Sequence, residues 1–137
     1  MKAINLISYT RIYPMNIGHD AENLASLHLT GKPKKPDNKP FWVGGDIGDL
    51  QVKGYRATVC DGTDLDAHLA KDKATQYGYV TRDLKVLYIM TPEEYRDFVK
   101  AFSRVEKSSQ VGHNGEPKIR LKHESIEMEM YLRKHTA

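Results

Sequence analysis

The chain has 137 residues, 39% of them hydrophobic and 28% charged, enough for one hydrophobic core and too apolar for a disordered chain, so a single domain over 1–137 is expected. Its one cysteine, Cys60, excludes an intrachain disulfide framework and a cysteine-rich zinc site and suits a reducing compartment, the cytoplasm. No segment has the length to span a bilayer or the pattern of a secretory leader, and a net charge of +3 leaves room for a polyanionic partner only where the cations cluster.

In chain order, the alternation from Ile4 to Tyr9 predicts a short strand. Ile17, Ala21, Leu24 and Ala25 recur at helical spacing between Asn16 and Leu29, with Gly31 to end that helix. The run 32–40, KPKKPDNKP, predicts an exposed loop. A short strand over Phe41–Val43, a turn over GGDIGD and one long strand over LQVKGYRATVC are expected next, with Gln51 and Lys53 on one face of that strand. Thr63 to Thr75 reads as a helix capped by Thr63. Tyr77–Thr81 and Val86–Met90 read as a hairpin joined by RDLK.

Thr91-Pro92-Glu93-Glu94 carries an N-cap, a proline at the first helical position and a capping-box glutamate. Tyr95, Phe98, Val99 and Phe102 then form an apolar stripe. The polar run SSQVGHNGEPK predicts a loop, Ile119–Lys122 an edge strand, and Ser125 the cap of a short C-terminal helix ending in basic residues. This order predicts a mixed α/β fold with a central mixed sheet flanked by helices.

Chemistry concentrates in GGDIGDLQVK, which gathers Asp46, Asp49, Gln51 and Lys53 around a turn and the start of a strand. Phosphodiester hydrolysis takes oxygen ligands for Mg²⁺ and a cation beside the attacking water, and these residue types supply both. A bland alternative stands beside this. Glycine and aspartate suit any hairpin turn, and Gln51 and Lys53 suit the solvated face of an edge strand.

Asp46 with Gln51-Val52-Lys53 resembles the signature of the PD-(D/E)XK nuclease superfamily, in the variant with glutamine for the second acid. The element order agrees: Glu22 in a helix, Asp46, the Gln51–Lys53 strand, then a helix and a strand. The resemblance implies a restriction-endonuclease-like fold, DNA as substrate and Mg²⁺ or Mn²⁺ as cofactor. The ligands it implies are Asp46, Gln51 and the Val52 carbonyl, with Glu22 in support and Lys53 placing the water or stabilising developing charge. Asp49, or the pair Pro36-Asp37, is an alternative to Asp46 because the interval to Gln51 is shorter than usual there.

Lys35 and Lys39, with their neighbours Lys32 and Lys34, and Tyr55, Arg56 and Lys73 are candidate DNA contacts. A homodimer would let two such sites cut both strands. The rival expectation is the same fold without catalysis, as a DNA- or protein-binding accessory or inhibitor factor of a mobile element or phage. RNA is the alternative substrate. His19 with Glu22, and Cys60 with His68, lack the partners that a metal site or a nucleophilic pair needs.

Overall fold

A computed structural model of the chain describes residues 1–6, 17–30, 49–107 and 116–136. In chain order the elements are β1 (Lys2–Asn5), α1 (Ile17–Thr30), β2 (Leu50–Lys53), β3 (Thr58–Asp61), α2 (Leu65–Lys71) and β4 (Gln76–Val80). There follow β5 (Val86–Met90), α3 (Pro92–Phe102), β6 (Ser103–Lys107), β7 (Pro117–Leu121) and α4 (Ile126–Lys134). The class is mixed α/β, as the sequence predicts, but the strands divide into two sheets. The first has the order β1-β5-β4-β2 and the second β3-β7-β6.

The first sheet is mixed for a reason of connectivity. Strands β4 and β5 are joined by a tight turn and pair antiparallel, whereas β2 reaches β4 through β3 and α2 and so can pair parallel to it. One face of this sheet, carrying Leu50, Val52, Val80 and Leu87, packs on Ala21 and Ala25 of α1. The other face, with Tyr77, Tyr79, Tyr88 and Met90, packs on Tyr95, Phe98 and Val99 of α3 and on Met128 and Leu132 of α4. Each of the larger side chains contributes roughly 1.5–3 kcal/mol by leaving water.

Local signals place α3 and α4 where the sequence predicts them. Thr91 caps α3, Glu94 closes the capping box, and Ser125 caps α4 by accepting from Met128 N–H at 3.2 Å. Elsewhere the structure corrects the sequence reading. The expected long strand over LQVKGYRATVC is two strands in two sheets, because Ala57 N–H donates to the Gly54 carbonyl and closes a turn between them. The second helix is capped by Asp64 rather than Thr63 and stops at Lys71. There Asp72 adopts an extended backbone and its carboxylate accepts from Ala74 N–H at 3.0 Å.

The strand expected at Ile119–Lys122 is β7, and it lies in the middle of the second sheet, paired on one side with β3 and on the other with β6, which the sequence reading misses. The first strand runs Lys2–Asn5, earlier than expected. The strand over Phe41–Val43 and the loop at 32–40 lie outside the described residues, as does 108–115 of the loop predicted over 108–118, whose last two residues, Pro117 and Lys118, open β7 instead. Among the described residues no helix is long and apolar enough to cross a membrane.

Candidate active site

Strand alternation sorts the side chains of β2. Leu50 and Val52 are buried against α1, so Gln51 and Lys53 take the opposite face, both half-buried. There they border a cleft of about 470 Å³ with His68 and Lys71 of α2, Asp72 and Lys73 just after it, and the buried rings of Tyr77 and Tyr95. Three lysines to one carboxylate give this cleft an excess of positive charge suited to an anion.

Lys53 is held in place by the neighbouring strand. Its Nζ donates to the Thr58 carbonyl at 3.1 Å, which uses one of the ammonium's three donors. Asp49 stands at the start of β2, exposed, and fastens the strand to its parallel neighbour. Its carbonyl accepts from Thr75 N–H at 2.9 Å and its carboxylate from the Thr75 hydroxyl.

On the buried side, Tyr77 and Tyr95 stack with ring centroids 4.1 Å apart and planes 2° apart. Burial pushes both phenols well above their ordinary value, and the charge of Asp72 adds to it, so both remain neutral donors. The Tyr95 hydroxyl is buried and finds no hydrogen-bond partner among the described residues. Cys60 is buried too, and burial pushes its thiol up, the opposite of what a nucleophile needs.

The structure thus brings Gln51 and Lys53 together on one cleft, with Asp49 two residues before Gln51 at the head of the same strand. Asp46, Asp37, Lys35 and Lys39 lie outside the described residues, and so does the side chain of Glu22; its helix packs on the other face of β2. Val52 is buried in the sheet. Tyr55 already has partners: its hydroxyl bonds to His123 Nδ1, and the Arg82 guanidinium lies 4.6 Å over its ring. Arg56 sits in the turn after β2, its guanidinium 3.8 Å from Glu106.

Sequence reasoning misses His68, Lys71, Asp72 and Tyr95 as cleft residues. Running the second helix on to Thr75 hides the turn at Asp72, and nothing in the spacing of Tyr95 separates a core residue from one that also borders a cleft. Among the described residues no group of three or more histidine, cysteine, aspartate or glutamate side chains could hold a metal ion. The donors in view, the Asp49 carboxylate and the Gln51 carboxamide, are oxygen donors of the kind Mg²⁺ takes, and they suffice only with a further carboxylate. No protein-family model, curated protein or solved structure matches this chain.

Proposed function

We propose that the chain is a metal-dependent endonuclease that hydrolyses DNA phosphodiester bonds at the cleft bordered by Gln51 and Lys53. The observation that carries this reading is the shared face of Gln51 and Lys53 on β2, opening onto a cleft rich in lysine. Gln51 and Asp49, with the Val52 carbonyl and the Asp46 of the resemblance, would hold Mg²⁺ or Mn²⁺. The ion supplies Lewis-acid polarisation of the phosphoryl oxygen and a more acidic water.

The protein's own part is positioning and charge. Lys53, braced by Thr58, presents an ammonium to the phosphoryl oxygens as charge builds on them, while Lys71 and Lys73 draw the phosphate in. The tyrosine pair closes the inner side of the cleft with neutral rings.

Nicking of supercoiled plasmid with Mg²⁺ or Mn²⁺ tests the reading. Lys53→Ala and Asp46→Ala are each expected to slow nicking by about a hundredfold or more, the usual cost of removing one transition-state interaction, with unchanged circular dichroism. Nicking that persists in both variants removes this site from the chemistry. A second reading, the same fold as a DNA- or protein-binding accessory factor without cleavage, is favoured by one observation: the Asp49 carboxylate is already engaged by Thr75. Calorimetric titration with Mn²⁺ separates the two, since only the nuclease has use for the ion.

A further inference from the structure

The turn that separates β2 from β3 places an arginine where glycine is the ordinary choice. Ala57 N–H donates to the Gly54 carbonyl at 3.2 Å, and the third residue of that turn, Arg56, has φ 56°. A left-handed backbone is strained for any residue with a side chain. The Arg56 guanidinium reaches Glu106 on β6 at 3.8 Å.

Glu106 is shared by two more arginines. Arg104 donates to it from Nε at 2.8 Å and approaches with Nη2 at 2.7 Å, and Arg120 Nε lies 3.3 Å from its other oxygen. That last approach is an ion contact without a directed hydrogen bond, because Arg120 Nε is buried and makes no hydrogen bond among the described residues. One carboxylate thus serves three guanidiniums.

Arg104 and Arg120 also stand directly opposite each other on β6 and β7, a like-charge pairing that weakens a sheet. Ile119 and Leu121 turn into the core, so Arg120 faces away from it. Arg120 opposes Thr58 on β3, and the Thr58 carbonyl is the acceptor that braces Lys53. Arg120 and Arg104 therefore stand on neighbouring strands, about 5 Å apart at the usual strand spacing, on the face of the second sheet turned away from the core, with Thr58 on the strand beyond.

We infer that the outer face of the second sheet binds the phosphate backbone of duplex DNA, with Arg56, Arg104 and Arg120 as phosphate contacts and Glu106 as the carboxylate that offsets part of their charge. This rests on the reading of the cleft as acting on DNA and adds the surface along which that DNA is held. Arginine suits the task because its planar fork matches phosphate oxygens and remains charged at every relevant pH. The strained turn and the opposed arginines cost stability that a purely structural ion-pair cluster gives no reason to spend.

Glu106 separates the two accounts. In a structural hub, removing its charge changes nothing in DNA affinity; on a phosphate surface, it strengthens binding. The test is fluorescence anisotropy of a short labelled duplex with the full chain in EDTA, so that nothing is cut, over a range of KCl concentrations. Arg104→Gln with Arg120→Gln should weaken binding tenfold or more and flatten the salt dependence by roughly two in log–log slope, about 0.9 for each phosphate that is no longer neutralised.

Arg56→Gly, which relieves the left-handed strain and so folds, should flatten the slope by about 0.9. Glu106→Gln should tighten binding about threefold, the effect in water of one unit charge some 7 Å away. Unchanged slopes in the arginine variants, no tightening in Glu106→Gln, or equal competition by polyglutamate overturns the inference. Salt-dependent binding that follows these variants, in a protein that nicks no DNA with either metal, supports the surface and overturns the nuclease reading alone.

Discussion

A single buried hydroxyl shows how finely the cleft is balanced at the residue scale. Tyr95 is 1% exposed, stacks on Tyr77, and leaves its hydroxyl without a hydrogen bond among the described residues. A buried polar group in that condition costs about 1–3 kcal/mol. Tyr95→Phe keeps the ring and the stack and removes the oxygen, so it should raise stability by about 1 kcal/mol in urea unfolding. A loss of stability instead would show that a water or ligand meets the hydroxyl.

At the scale of elements, α3 carries the strongest local code. Thr91 accepts from Glu94 N–H at 3.2 Å and Glu94 accepts from Thr91 N–H at 3.0 Å. Thr91→Ala should cost about 1 kcal/mol in urea unfolding. The Met1 amine donates to Glu94 at 2.6 Å, and with the Thr91 N–H it holds that carboxyl below its ordinary value of 4.5. A depressed carboxyl stabilises the fold above its unfolded value and loses that contribution as pH falls through the folded one. Stability should therefore decline below pH 4.5 in the wild type and less steeply in Glu94→Gln, as denaturation at a series of acid pH values would read.

The same element shows why parts of the fold are legible in sequence. The caps and the Tyr95-Phe98-Val99 stripe are local patterns, and so is the hairpin of β4 and β5. The break between β2 and β3 is not, because it depends on a left-handed arginine, a residue that carries no turn signal. Nor is the pairing of β6 with β7, whose partners are separated by 108–116 and meet only in three dimensions. In the cleft, strand alternation places Gln51 and Lys53 together, but Asp72 and Tyr95 arrive from other elements, and no spacing within one segment reports that.

Across the whole molecule, two sheets share one core. Val59, Ile119 and Leu121 of the second sheet join Tyr77, Tyr79 and Met90 of the first in a single apolar cluster, with Phe98 and Met128 of the helices. Shared burial couples β4 and β5 of the first sheet to the sheet that carries the arginines, so the two sheets should not come apart separately. Cys60 lies inside that same cluster, 4% exposed, and is the chain's one cysteine. It is therefore a built-in chemical clock: an alkylating reagent can modify the thiol only when the two sheets separate. If they open as one unit, Thr91→Ala, in a different element and costing about 1 kcal/mol, should speed alkylation about fivefold. An unchanged rate would mean that the thiol is reached through a local opening of the second sheet.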